Sequence, residues 1–437
     1  MYICKECGFK SSISATRCKS CGAINSFEET YEEKQDNSGK PKATTVLPKK
    51  FNPKDSKALS VKRLQFKTES LNTLFWGGLF VGSVNFLSAE PWAGKSTILW
   101  QLIDLLEDDI RILYYSGEEN EQQVWSRLER LHWKNSPLLD KIDLYYGKDI
   151  SVLLWLIEQG EVDIVVLDSI NSLAGESYTR QAEYMAEVTG ALKRKKITGF
   201  IIGHINKSWE ISWKKTLEHE VDAVFMLGGQ GWREDNIRIL KVLKQRFGET
   251  NNIAVLEMWE RGFRVIDNTE AFKVFVTESP DISGSVFCPI LEGNQLFLLE
   301  IQSLLVDPLY SYPQKVINGW QKVKADTVLA ILSKHTKIAE FQQQDVIINV
   351  IAPNNFSQLS ISFAVAMSLL SSQTGINLKK YIFIWEIGLW WEIRSVAHQE
   401  EIIRRLKNLG YNENQIVTRK NFLDIKACYK FFANNNK

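Results

Sequence analysis

The stretch that decides the fold is SVNFLSAEPWAGKST, residues 83–97. Residues 83–88 form a short apolar run typical of a buried strand, and Gly94-Lys95-Ser96 then opens an apolar helical segment over 98–106. A strand that turns through Gly-Lys-Ser into a helix is the context of a phosphate-binding loop, because backbone amides at the helix N-terminus point at the bound anion. The stretch therefore predicts an α/β fold that binds a nucleotide.

This loop gives each polar side chain a predicted task. Lys95 would reach the β- and γ-phosphates of ATP, and Ser96 would hold Mg²⁺. Two positions depart from the usual pattern, because Ala89 replaces the first glycine and Trp92 places an indole where the chain normally lies close to the nucleotide. The predicted nucleotide contacts in the loop are Ala89, Glu90, Pro91, Trp92, Ala93, Gly94, Lys95, Ser96 and Thr97.

Two further strands end in acids. The apolar run 163–168 ends at Asp168, 73 residues after Lys95 (168 − 95), and this acid is predicted to hold Mg²⁺ through water. The run 112–116 leads into Glu118 and Glu119. Glu118 is the predicted catalytic carboxylate, since an acid at the carboxyl end of a neighbouring strand can polarise the attacking water. Glu119 better fits the alternative role of an acid stabilised by a helix N-terminus.

Outward from the loop, residues 61–270 alternate apolar runs with amphipathic stretches, which predicts a mostly parallel sheet. The predicted strands are 83–88, 111–116, 163–168, 198–203, 222–227 and 237–243. Residues 271–437 change character and predict a separate α+β domain. Its predicted strands are 272–277, 285–291, 295–301, 345–351 and 381–387, and its predicted helices are 356–372 and 397–409.

Four of the six cysteines lie in the first 21 residues, as two Cys-x2-Cys pairs: Cys4 with Cys7, and Cys18 with Cys21. Four thiolates at this spacing suit a tetrahedral, structural Zn²⁺ site, which would provide most of the folding energy of a module over 1–24. An iron–sulfur centre or a redox pair is the alternative. Residues 25–60 lack periodicity and are predicted to be a linker.

Charge and hydropathy restrict the class of protein. No apolar run reaches the ~20 residues of a membrane span, and the N-terminus has no apolar signal region, so a cytoplasmic protein without membrane contact is expected. The net charge of +1 is uninformative, but residues 40–67 hold nine Lys or Arg and one acid, Asp55. Such a tract can follow a phosphate backbone or can be a solvated linker.

Several motifs together resemble the RadA family of bacterial DNA-repair proteins, also called Sms. The resemblance covers nearly the whole chain, from the four cysteines to the C-terminal domain. Gln245 stands where the family hallmark Lys-Asn-Arg-Phe-Gly has asparagine. The other matching motifs are Gly77-Gly78-Leu79, Gly94-Lys95-Ser96-Thr97, Ser116-Gly117-Glu118-Glu119, Val166-Leu167-Asp168-Ser169-Ile170, Gly203-His204, Leu217-Glu218-His219-Glu220-Val221-Asp222 and Lys244-Gln245-Arg246-Phe247-Gly248.

The resemblance implies a RecA-like ATPase that forms a homo-hexameric ring, moves on single-stranded and branched DNA, and promotes branch migration beside a recombinase filament. It implies that Lys244 and Arg246 act across the subunit interface and on DNA. A structural alternative is a surface hairpin with two solvated charges. It also implies that His204 senses the γ-phosphate and moves a DNA-binding loop over 205–216. A DNA-binding scaffold with an impaired nucleotide site is the alternative function.

The C-terminal region resembles the Lon-protease-like domain of the same family. Active Lon enzymes use a Ser–Lys dyad. Ser360 lies roughly at the nucleophile position, but the lysine position falls near Glu400, and no lysine occurs between Lys380 and Lys407. A non-proteolytic scaffold for the ring and for DNA is therefore expected, with an ATP-dependent peptidase as the alternative.

Tryptophan is unusually frequent, with 14 residues against 13 tyrosines. Several tryptophans stand where the resembled family has glycine, namely Trp76, Trp92, Trp213, Trp385 and Trp391. Glycine occupies such places because the backbone approaches closely or takes a positive φ. We hypothesise that some of these are UGA codons that the source organism reads as glycine; a divergent family member is the alternative.

Overall fold

The computed structural model divides into two compact units, residues 1–60 and 61–437. The structure describes residues 2–4, 10–11, 18, 21, 23, 27–29 and 62–435, apart from 90–92, 108, 132–135, 137–138, 176, 205–218, 229–235, 251, 278–281, 309, 337–340, 342 and 353–360. In the first unit, β1 (Tyr2–Cys4) pairs antiparallel with both β2 (Lys10–Ser11) and β3 (Phe27–Glu29).

The second unit is built on a nine-stranded sheet. Its parallel strands are β6 (Val84–Ala89), β7 (Ile112–Ser116), β8 (Ile142–Tyr146), β9 (Ile164–Asp168), β10 (Thr198–His204) and β11 (Ala223–Gly228). Three antiparallel strands, β12 (Ile237–Gln245), β13 (Ile253–Trp259) and β14 (Gly262–Ile266), extend one side. The order is β14-β13-β12-β11-β6-β10-β9-β7-β8, which confirms the mostly parallel α/β sheet predicted from the sequence.

Helices cover both faces of this sheet. Apolar side chains of α2 (Lys95–Asp104) and α3 (Glu121–Arg130) form one core with the first face, and those of α4 (Ile150–Gln159) and α6 (Tyr178–Lys195) form another with the second. Two short helices, α1 (Glu69–Leu74) and α5 (Ile170–Ala174), and the two-stranded pair β4 (Arg63–Leu64) and β5 (Leu79–Phe80) complete this part. Because the strands are parallel, the described helices that follow β6, β7, β8 and β9 all begin at the carboxyl edge of the sheet.

The C-terminal part holds a six-stranded sheet of order β17-β18-β16-β15-β19-β22. Its strands are β15 (Ser285–Glu292), β16 (Gln295–Val306), β17 (Lys315–Asn318), β18 (Asp345–Ile351), β19 (Ile382–Phe383) and β22 (Ile416–Val417). The pair β20 (Glu386–Ile387) and β21 (Ile393–Arg394) stands apart. The helices are α7 (Asn268–Phe272), α8 (Lys322–His335), α9 (Ser362–Thr374), α10 (Gln399–Asn408) and α11 (Ile425–Asn435).

Two predictions for this region are wrong. Residues 272–277 were predicted as a strand, but α7 occupies their start, because the Asp267 side chain accepts hydrogen bonds from the amides of Thr269 and Glu270 and caps a helix there. The predicted strand 381–387 is divided between β19 and β20, which belong to different sheets. The two sheets pack against each other across residue 270, since Val255 and Ile266 share one hydrophobic core with the C-terminal sheet.

Two of the five tryptophans that stand at family glycine positions have left-handed backbone. Trp76 has φ 56° and Trp391 has φ 62°. A bulky L-residue in this conformation is destabilised by about 1–2 kcal/mol, whereas glycine adopts it without strain. Trp385 is buried outside this φ region, and Trp92 and Trp213 lie outside the described residues. The backbone therefore supports glycine at positions 76 and 391.

Protein purified from its native source is expected to be lighter than the sequence as written, by the difference between tryptophan and glycine for each misread position. Peptide mass spectrometry across residues 76 and 391 should read glycine. Tryptophan in both peptides, or UGG codons at these positions in the gene, would contradict the hypothesis.

Candidate nucleotide-binding site

The predicted phosphate loop leaves the sheet at the carboxyl end of β6. Gly94 precedes α2 with φ 91°, and a Cβ built there would lie 2.9 Å from the Phe263 ring. Only glycine meets both conditions without strain. Gly94 thus allows the chain to turn sharply from the loop into the helix that begins at Lys95.

The parallel register brings the predicted acids to this edge. Ser116 on β7 is paired with Asp168 on β9, so the segments that follow both strands start at the same level of the sheet. Lys95, Glu118 and Asp168 line one cavity of about 500 Å³. The other lining residues are Gly94, Ser96, Thr97, Glu119, Arg127, Arg130, Met258, Trp259, Gly262 and Phe263.

Lys95 is a buried residue that lines the cavity. The residue is 8% exposed, and Nζ donates a 3.3 Å hydrogen bond to the Ala89 carbonyl. Burial lowers the pKa of Lys95, while the nearby Glu118 and Asp168 carboxylates oppose that shift. A buried cation at a helix N-terminus is suited to attract a phosphate group.

The two predicted acids have their own hydrogen-bond partners. Asp168 is 4% exposed, and Tyr114 Oη donates a 2.6 Å hydrogen bond to its Oδ2. Glu118 Oε1 accepts a 2.5 Å hydrogen bond from Ser169 Oγ. Burial, and then the charge and hydrogen bond of Asp168, raise the pKa of Tyr114 well above its ordinary value, so the phenol stays a neutral donor.

Glu119 has different interaction partners from Glu118. It forms an ion pair with Arg127, and its amide donates a 3.0 Å hydrogen bond to Ser116 Oγ. The prediction that Glu119 serves as the helix N-terminal acid differs from the structure, because Asn120 is the N-cap of α3 and Glu121 is the acid of its first turn. The Asn120 side chain caps the helix by accepting a hydrogen bond from the Gln123 amide, so Glu119 lies one residue before the N-cap.

The donor set suits magnesium. Mg²⁺ prefers oxygen ligands and is usually held by one or two carboxylates together with phosphate oxygens and water. The Asp168 carboxylate and the Ser96 hydroxyl line the cavity that Lys95 enters, and a nearly buried carboxylate beside a phosphate site meets this preference. Among the described residues, no three or more His, Cys, Asp or Glu side chains are grouped so that they could hold a metal ion.

The structure does not place Lys244 and Arg246 in this cavity. On β12, Lys244 is paired with Val224 near the start of β11, away from the edge where β6 ends. Lys244 Nζ donates a 2.8 Å hydrogen bond to the Val221 carbonyl. Arg246 forms an ion pair with Asp222 at 3.2 Å. Within their own chain both cations contact the segment that leads into β11.

The remaining predicted residues lie only partly within the described chain. His204 ends β10 and its backbone pairs with Ala89, but its side chain is not described. Glu90, Pro91, Trp92, Cys7 and Ser360 lie outside the described residues. Of the predicted zinc ligands, Cys4 ends β1, Cys18 is buried and Cys21 is exposed.

Sequence reasoning missed the residues that reach the cavity from distant segments. Phe263 and Met258 belong to the β13–β14 hairpin, which Gln101 of α2 ties down through hydrogen bonds with both the amide and the carbonyl of Phe263. Arg127 comes from α3. No motif marked these residues, because the sheet order alone brings the hairpin beside the loop.

Comparison with known proteins gives the chain its relatives. Residues 65–270 match the family model described as ATPase: KaiC. The chain is 33% identical over 420 residues to the DNA repair protein RadA of Aquifex aeolicus, covering 94% of this chain and 92% of that protein. It is 31% identical over 421 residues to RadA of Chlamydia muridarum, covering 94% and 90%.

A further relative and a solved structure are similar. RadA of Streptococcus pyogenes serotype M1 is 30% identical over 421 residues, covering 94% of this chain and 91% of that protein. A KaiC-like protein of Pyrococcus horikoshii OT3 aligns at 18% identity with a TM-score of 0.41, covering 47% of this chain and 100% of that structure. In the part of the chain that the structure describes, no helix is both long and apolar enough to cross a membrane.

Proposed function

The chain belongs to the family of the bacterial DNA repair protein RadA, and we propose that it is a DNA-dependent ATPase that translocates on DNA and promotes branch migration of recombination intermediates. Family membership by itself identifies the chain as a RecA-like ATPase that acts in DNA repair. The observation that supports the proposal is the convergence of Lys95, Glu118 and Asp168 on one cavity at the carboxyl edge of the sheet.

The proposed chemistry is hydrolysis of ATP by this chain's own side chains. Lys95 binds the β- and γ-phosphates and offsets their charge. Glu118, held by Ser169, orients the attacking water and accepts its proton. Ser96 and Asp168 would hold magnesium, which when bound would neutralise part of the phosphate charge. Lys244 and Arg246 are proposed to act in a neighbouring subunit of a hexameric ring, and His204 to report the γ-phosphate to the loop 205–216.

DNA is proposed to bind two basic segments of the sequence. Residues 40–67 carry nine Lys or Arg and one acid, and the loop 205–216 carries Lys207, Lys214 and Lys215. Cations along a chain bind phosphate backbones without reading sequence and release counterions when they do so. We further propose that the four N-terminal cysteines hold structural Zn²⁺, that the C-terminal domain is a non-proteolytic, Lon-like scaffold, and that a recombinase filament is a partner.

A branch-migration assay tests the proposed function. With a fluorescent three-stranded DNA junction, the chain is expected to move the branch point with ATP and Mg²⁺ and not with ADP. DNA binding should weaken as salt is raised, because counterions compete for the phosphates. ATP-independent DNA binding without movement of the branch would overturn the proposal and favour the alternative, a DNA-binding scaffold.

A further inference from the structure

Tyr114 is a buried side chain that touches the Asp168 carboxylate and has no part in the chemistry proposed above. Its hydroxyl donates a 2.6 Å hydrogen bond to Asp168 Oδ2, and its ring stacks on Trp100 with centroids 4.4 Å apart. Trp100 lies on α2, the helix that begins at Lys95. Tyr114 therefore connects the phosphate-loop helix to the acid at the end of β9.

We propose that Tyr114 is a positioning residue for the magnesium site, which holds the Asp168 carboxylate in the orientation that binds the metal. This inference rests on the proposed function, because it takes the cavity to be the site of a magnesium nucleotide. Without a partner a carboxylate rotates about its last side-chain bond. With Oδ2 bound to Tyr114, Oδ1 is the oxygen that can turn towards the metal.

The surroundings of Tyr114 hold the hydroxyl itself in place. The side chain is fully buried, and the ring is stacked nearly parallel to Trp100, at 16°. Tyr114 also lies on β7 opposite Val166, two residues before the pair Ser116–Asp168. Partners that orient a metal ligand typically change metal affinity by about 10- to 100-fold when removed.

The neighbouring Tyr115 provides a matched control. Its hydroxyl donates a 2.9 Å hydrogen bond to the backbone carbonyl of Asp149, and its side chain packs in the core on the other face of the sheet. Tyr114→Phe and Tyr115→Phe therefore each remove one hydroxyl from adjacent positions of the same strand. Only the first removes a contact to the acid that would hold the metal.

The test is a Mg²⁺ titration of the binding of a fluorescent ADP analogue to the full chain. In Tyr114→Phe the Mg²⁺ concentration at half-maximal tightening should rise about 10-fold, while affinity in EDTA stays that of the wild type. Tyr115→Phe should match the wild-type titration. In an Asp168→Asn background, Tyr114→Phe should produce no further shift.

Two results would overturn the inference. One is a Mg²⁺ midpoint in Tyr114→Phe equal to that of the wild type. The other is an equal loss of nucleotide affinity with Mg²⁺ and with EDTA, which would assign Tyr114 to packing alone. Because the titration uses binding and not turnover, a wild type that binds Mg²⁺ and nucleotide without hydrolysing ATP would defeat the proposed function and still decide the role of Tyr114.

Discussion

The Lys95→Ala variant is expected to hydrolyse ATP at least about 100-fold more slowly than the wild-type chain, in line with the loss of a group that stabilises transition-state charge. The reason is its position, since Lys95 is a buried cation at the start of α2, and Glu118 and Asp168 line the same cavity. Without it, two carboxylates remain facing the phosphates. Phosphate release at saturating ATP and Mg²⁺ measures the effect.

A surface lysine makes the comparison specific. Lys324 is exposed on α8 in the C-terminal part, and Lys324→Ala removes the same charge without touching the cavity. Its rate should equal that of the wild type. If Lys95→Ala hydrolysed ATP as fast as Lys324→Ala, the cavity would not be the site of hydrolysis.

The Glu118→Gln variant should bind ATP as tightly as the wild type, or more tightly, and hydrolyse it about 100-fold or more slowly. The amide keeps the size of the side chain and can still contact Ser169, but it cannot accept a proton from water. Removal of a negative charge from the cavity also lessens repulsion of the triphosphate. Single-turnover hydrolysis, beside equilibrium binding of a slowly hydrolysed ATP analogue, separates the two effects.

Glu119→Gln is the matched control for that variant. It removes the adjacent carboxylate, which forms an ion pair with Arg127. Because glutamine keeps the size of the side chain and can still accept a hydrogen bond from Arg127, the hydrolysis rate should stay close to that of the wild type. Equal loss of hydrolysis in both variants would contradict the assignment of Glu118 as the base.

The sequence was sufficient for the residues that follow directly from strand ends. Lys95, Glu118 and Asp168 each follow or end a parallel strand, and the carboxyl ends of such strands meet at one sheet edge. Glu118 and Glu119 are adjacent and of the same residue type, so the sequence does not separate them. The contacts with Ser169 and Arg127 separate their environments, and no local pattern encodes those contacts.

The features that could not be predicted from the sequence are those that depend on the order of strands in the sheet and on helix capping. β11 lies between β6 and β12, parallel to β6 and antiparallel to β12. The chain therefore reverses direction after β11, and the β13–β14 hairpin reaches the cavity. In the sequence, Tyr114 is indistinguishable from the other apolar residues of its strand. Its hydrogen bond to Asp168 forms because β7 and β9 are neighbours in the sheet. The prediction of a strand at 272–277 is wrong because the Asp267 cap stabilises a helix at the start of this segment, despite its apolar alternation.

The most direct test of the central claim is ATP turnover by the full chain, with and without single-stranded DNA, beside Lys95→Ala. A motor that couples this cavity to DNA should hydrolyse ATP, accelerate when DNA is added, and lose both the basal and the stimulated rate in the variant. Equal turnover by the wild type and Lys95→Ala, with no response to DNA, would contradict the account and leave a DNA-binding scaffold.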